Sequence, residues 1–130
     1  MKVVYPIIII KTSDTTIPYL VKIPDLDGMT QGTSIADSIQ MARDYIGLNI
    51  IDRQDNDETI PISKYSKPQT KSNDIITLVD VDIDAYRRRN DFKAVKKTLT
   101  IPNYLNELGK ENNINFSELL TDALKQKLNA

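Results

Sequence analysis

Two blocks rich in β-branched and aromatic residues open the chain, 2–11 and 17–23, and the polar run Thr12-Ser13-Asp14-Thr15-Thr16 between them has the composition of a turn. They read as a hairpin. Residues 24–33 follow, with Pro24, Gly28 and Gly32 punctuating what reads as an irregular loop. Ser34 and Asp37 then offer an N-terminal cap, because a hydroxyl can accept from the free N–H groups of a first helical turn. From there Ile35, Ile39, Ala42, Ile46 and Ile50 recur at helical spacing and predict one apolar stripe laid across the sheet. Residues 52–58 and 64–73 read as polar surface loops, with a further strand near 59–62. Residues 75–84 return to strand character, where Val79, Val81 and Ile83 alternate with Asp80, Asp82 and Asp84. The order strand, strand, helix, strand predicts a compact α+β domain over residues 1–85.

Composition changes beyond that point. Residues 1–85 carry a net charge of −5 and residues 86–130 a net charge of +4, an asymmetry that implies two parts with different partners. Arg87, Arg88, Arg89 and Asn90 fall in a basic linker, 86–93, with the domain boundary between Ala85 and Phe92. In 94–130, Val95-Lys96-Lys97-Thr98-Leu99-Thr100-Ile101 is strand-like, and Pro102 stops it in a position suited to the first turn of a helix. Tyr104, Leu105 and Leu108 mark a short helix with Gly109 as its left-handed cap. Asn115 and Glu118 have capping-box spacing, and Phe116, Leu119, Leu120, Ala123, Leu124 and Leu128 give a second helix its apolar stripe.

A lone strand beside two helices leaves its backbone donors and acceptors without partners. Pairing with the same strand of a second chain satisfies them, in a two-stranded ribbon over four helices. The run Lys97-Thr98-Leu99-Thr100-Ile101-Pro102 and its spacing to Phe116 resemble the ribbon-helix-helix family. That resemblance implies a homodimer whose ribbon enters the DNA major groove, where alternate side chains reach base edges. The matching positions are Lys96, Thr98 and Thr100. The N-terminus of the second helix, at Asn115, Phe116 and Ser117, would offer N–H groups to a phosphate, and Lys93 and the arginines would add salt-dependent attraction. Lys97 departs from the pattern, standing on the inward face where the family has an apolar residue.

The N-terminal part carries a second resemblance. Tyr5-Pro6-Ile7-Ile8, then Pro24-Asp25-Leu26-Asp27-Gly28 and Thr30-Gln31-Gly32-Thr33 before the helix, are similar to the HicB antitoxin family, with Asp27 where proline is usual and one residue fewer between Gly28 and Thr30. The resemblance spans nearly the whole chain. It implies a small, partial RNase H-like sheet with a packed helix, followed by the DNA-binding module, in a cytoplasmic type II antitoxin. The partner it implies is a HicA-like toxin, an mRNA-cleaving ribonuclease, neutralised by direct binding; operator DNA is the second partner, bound to repress the operon. An acidic surface suits a phosphate-binding partner through complementary fields. Asp25, Asp27 and Gln31 in the loop, and Asp80, Asp82 and Asp84 on the strand, are the candidate toxin contacts.

Two other functions compete. Clustered carboxylates could hold two metal ions for nucleic-acid cleavage, yet aspartates at alternate positions of one strand step by about 7 Å, longer than the roughly 4 Å between the metals of such sites. A ligand-sensing N-terminal domain is the other, though Gly28 and Gly32 lack dinucleotide-fingerprint spacing and read as turn glycines. The chain has no Cys and no His, which excludes disulfides, thiolate metal sites and the commonest general base. No cofactor and no metal are expected, nor catalysis. The apolar opening run is too short to span a bilayer and is broken by Pro6.

Overall fold

A computed structural model of the chain describes every residue except Gln69 and Ser72. It divides into two compact units, Met1–Phe92 and Lys93–Ala130.

The first unit is built on a four-stranded antiparallel sheet in the order β3-β2-β1-β4, formed by β1 (Lys2–Lys11), β2 (Tyr19–Ile23), β3 (Gly28–Gly32) and β4 (Ile75–Asp82). The hairpin forms as its composition predicts, but its second strand starts at Tyr19 rather than at residue 17. Asp14 holds the turn: its carboxylate accepts from the backbone N–H groups of Thr16 (2.8 Å) and Ile17 (2.9 Å).

Residues 24–33 are not an irregular loop. Pro24–Leu26 make one 3-10 turn, Asp27 closes it in the left-handed region (φ 48°), and β3 then pairs with β2 along its length. Gly28 and Gly32 are strand residues with no positive φ, so turn geometry does not explain them. Their reason is close approach: a Cβ on Gly28 would meet the Tyr45 ring, and one on Gly32 would lie 2.7 Å from the Ser38 Cα.

Helix α1 (Ile35–Asp55) begins where Ser34 and Asp37 predict. The Ser34 hydroxyl accepts from the Asp37 N–H at 3.0 Å, and the Asp37 carboxylate accepts from the Thr33 N–H at 2.8 Å, a reciprocal cap. Ala42, Ile46 and Ile50 are fully buried against Tyr5, Ile7, Ile9, Val21, Ile23, Val79 and Val81, the inward row of the sheet. At roughly 1.5–3 kcal/mol for each large apolar side chain removed from water, this layer is the main stabiliser of the unit. The helix continues to Asp55, so the loop expected from residue 52 begins only at Asn56.

The strand expected near residues 59–62 does not form; that stretch is irregular, and the Tyr5 hydroxyl donates to the Pro61 carbonyl. The surface loop expected over residues 64–73 includes Gln69 and Ser72, which lie outside the described residues. The strand expected over 75–84 ends at Asp82. Its carboxylate accepts from the Ala85 N–H at 3.1 Å and so starts α2 (Ile83–Arg89). Residues 86–93, expected as a basic linker, are therefore helical through Arg89 and belong to the first unit through Phe92. Tyr86 packs over Gly47 of α1, where any side chain would strike its ring.

The second unit holds α3 (Asn103–Glu111) and α4 (Phe116–Leu128). Pro102 sits at the N-cap rather than inside the first turn. Gly109 lies within α3 and is not its cap. A Cβ there would press on the Phe116 ring, while Asn113 (φ 55°) supplies the left-handed residue of the connection. Residues 93–102 precede α3 with no regular structure in the single chain.

Candidate partner and nucleic-acid interfaces

The acidic positions at the end of β4 do not make one row. Asp80 stands in the strand with its side chain 81% exposed, paired with Arg43 of α1 at 3.7 Å, and the Arg43 Nε–H donates to the Asp80 carbonyl at 3.3 Å. Asp82 caps α2. Asp84 lies in the first turn of α2 and pairs at 2.6 Å with the Met1 amino group, which holds its carboxyl below the usual range. The three carboxylates face three different partners, and no group of three or more Asp/Glu is arranged to hold a metal ion among the described residues.

What the fold does assemble here is a groove of about 510 Å³ between α1, β4 and α2, lined by Arg43, Asp44, Asp80, Asp82, Tyr86 and Arg89 among others. Asp44 was not singled out by the sequence pattern. It accepts from the Tyr86 hydroxyl at 3.4 Å; burial, reinforced by the Asp44 charge, pushes the Tyr86 phenol above its ordinary pKa. Among the three arginines of α2, Arg87 reaches back to Asp55 and Gln54 of α1, each at 3.0 Å.

Asp25, Asp27 and Gln31 lie elsewhere. The strand order puts β3 and β4 at opposite edges of the sheet, with β2 and β1 between them, so the two sets of candidate toxin contacts form separate patches. The Asp25 carboxylate is turned onto the Lys64 N–H at 3.1 Å and anchors the segment after α1. Asp27 is exposed, and its φ of 48° is one that proline cannot adopt, so the residue found here and the shape of the turn go together. Gln31 is exposed on the edge strand opposite Leu20.

In the second unit the alternation along residues 96–101 separates two sets. Lys97, Leu99 and Ile101 line a groove of about 500 Å³ with Phe116, Leu119 and Leu120 of α4. Lys96, Thr98 and Thr100 are exposed and take no part in it. Asn115 caps α4 by accepting from the Glu118 N–H at 3.1 Å, which leaves Phe116 and Ser117 in its first turn. Lys93 is exposed at the start of the unit. No residue of this unit is buried: Leu99, Leu108, Phe116, Leu119 and Leu124 are 40–58% exposed. Monomeric proteins rarely expose large contiguous apolar patches.

The family described as HicB-like antitoxin of bacterial toxin-antitoxin systems matches residues 5–123. The chain therefore belongs to the HicB-like antitoxins, a non-enzymatic family. Among solved structures, a chain described as a toxin-antitoxin complex from Streptococcus pneumoniae is 28% identical, with 98% of this chain and 99% of that one covered and a TM-score of 0.58. The antitoxin HicB of Burkholderia pseudomallei is 22% identical, with 98% and 97% covered and a TM-score of 0.53, which shows the shared α+β fold. No curated protein sequence matches. Among the described residues, no helix is long and apolar enough to cross a membrane.

Proposed function

We propose that this antitoxin neutralises a HicA-like mRNA-cleaving ribonuclease by direct binding through its N-terminal unit, and represses its own operon by binding the operator as a dimer through its C-terminal unit. In this reading the sheet and α1 are a partial RNase H-like toxin-binding domain, and residues 94–130 are a ribbon-helix-helix module working in the cytoplasm. The similar chain from Streptococcus pneumoniae, described as a toxin-antitoxin complex, supports the first half.

The observation that carries the second half is the incomplete C-terminal unit. Residues 95–101 alternate as a strand but pair with no strand among the described residues of one chain, and the groove beside them is apolar and open. Chains below about 40 residues rarely fold without oligomerisation, metal or disulfide. A second copy supplies the missing strand and covers both grooves. Each half-exposed Leu, Ile or Phe then gains about 1 kcal/mol, half of its full burial value. Lys96, Thr98 and Thr100 face outward from such a ribbon toward base edges, while Lys93 and the N-terminus of α4 at Asn115, Phe116 and Ser117 meet phosphates.

Toxin contact is assigned to the aspartates of the first unit and to Gln31, with the exposed Asp80 beside Asp82 on one patch, Asp27 and Gln31 on the other, and Asp25, Asp82 and Asp84 engaged in internal contacts. Co-purification with the toxin separates the patches. Charge reversal at Asp80 weakens the complex if the β4 edge is the contact, and reversal at Asp27 does so if the β2–β3 turn is. Retention of full toxin binding by a chain reversed at the five aspartates and carrying Gln31→Ala would remove the assignment.

A further inference from the structure

The segment that precedes α3 places a charge where the groove needs an apolar residue. Lys97 lines the groove with Leu99, Ile101, Phe116 and Leu119, and among the described residues it is the only charged side chain that does so. It makes no ion pair among the described residues. None of the unit's acidic residues, Glu107, Glu111, Glu118 and Asp122, lines the groove. A second copy presents the same lining, so the two grooves together carry two ammonium groups and no carboxylate of their own.

In the single chain this arrangement costs little. Lys97 is exposed, its stem can lie along the apolar wall, and its ammonium stays in water. Closure by a two-fold related chain changes the balance, because the contact is self-complementary and both lysines meet the interface together. Each ammonium must then be held at the rim in one of few rotamers, or lose hydration without a partner; either outcome weakens association.

We infer that Lys97 is a determinant of self-association, one that holds the ribbon dimer at an affinity where the monomer–dimer equilibrium responds to the concentration of the antitoxin. The inference rests on the dimer proposed above. Its consequence is regulatory: where only the dimer binds the operator, occupancy rises steeply with antitoxin concentration instead of saturating early.

Sedimentation equilibrium of the full chain and of Lys97→Met, at matched salt, reads the effect directly. Methionine keeps the unbranched stem and removes the charge. The variant dimerises about tenfold more tightly, and its operator titration loses the steepness of the wild type. A dissociation constant that is unchanged overturns the inference, and so does a weaker one, which would mean that Lys97 finds a carboxylate across the interface. Leu99→Asp tests the dimer itself by placing a charge in the wall. A wild-type chain that is monomeric at every concentration removes the dimer and this inference together, whereas a wild-type dimer that Leu99→Asp dissolves and Lys97→Met leaves unaltered removes only this inference.

Discussion

Gly32→Ala is the sharpest perturbation of the N-terminal unit. Gly32 ends β3 directly under the first turns of α1, and an added Cβ would stand 2.7 Å from both the Cα and the backbone N of Ser38. Backbone atoms of a capped helix cannot rotate away as a side-chain tip can. Ser38 is also fully buried, with its hydroxyl donating to the Ser34 carbonyl at 2.7 Å, so the helix start is tied at the point of collision. Relief requires α1 and β3 to separate by roughly 0.7 Å, and overpacking of this kind costs about 1–3 kcal/mol. The smaller unfolded-state entropy of alanine returns about 0.4–1 kcal/mol, which leaves a net loss of up to about 2.6 kcal/mol and about 1.3 kcal/mol at mid-range. Thermal unfolding followed by circular dichroism then shows Tm lowered by about 5–10 °C at the mid-range loss, at about 4–8 °C per kcal/mol for a unit of this size. Gln31→Ala, one residue away and exposed, is the matched control. A Gly32→Ala variant that melts within about 2 °C of wild type, well under that range, would refute close approach as the reason for glycine at this position.

Further outcomes follow from other parts of the chain. Thr98→Ala relaxes operator preference at one position, by about 1–3 kcal/mol of discrimination between bases; Lys93→Ala weakens binding to all sequences alike and lowers the slope of log K against log salt by about 0.9 for each phosphate that is no longer neutralised. Binding isotherms over a salt series distinguish the two. The Asp14 carboxyl sits below its ordinary pKa because the Ile17 and Thr16 N–H groups donate to it. Its stabilisation of the hairpin turn is therefore complete above the ordinary carboxyl pKa and is lost as pH falls through the lowered value. A carboxyl-carbon NMR titration reads that midpoint directly, and Asp14→Ala removes the low-pH dependence of the turn. Arg87→Ala breaks the contacts of α2 with Asp55 and Gln54, but the pair is about half exposed, so urea denaturation shows a loss of only about 0.5 kcal/mol.

The helical stripe expected from Ile35 to Ile50 was legible from Ile39 onward, because one apolar residue per turn has a single physical meaning on a half-buried helix, whereas Ile35 in the first turn is 42% exposed. The N-caps at Ser34 and Asn115 were legible for the same kind of reason, since short oxygen-bearing side chains precede each stripe. Strand β3 was not. Gly-Met-Thr-Gln-Gly has little β-propensity outside Thr30, and it is a strand because it pairs with β2 along its length, while its two glycines let that edge approach Tyr45 and Ser38. At the end of β4 the alternation of Val79, Val81 and Ile83 runs on into α2, because Ile83 stays buried after the backbone has turned helical. The cue was Asp82, an N-cap residue three before Ala85, and reading it would have taken Asp84 out of the row. Asp44 was missed because it belongs to the groove only through the packing of Tyr86 on α1. Residues 95–101 alternate as a strand would, but in the single chain they take no regular structure.

Co-expression of the antitoxin with the small open reading frame beside its gene decides whether this chain neutralises a toxin by binding it. Growth arrested by that reading frame alone should be rescued, and the two proteins should co-purify as a stable complex. Persistent arrest, with the two proteins separating on the first column, would rule out neutralisation by direct binding.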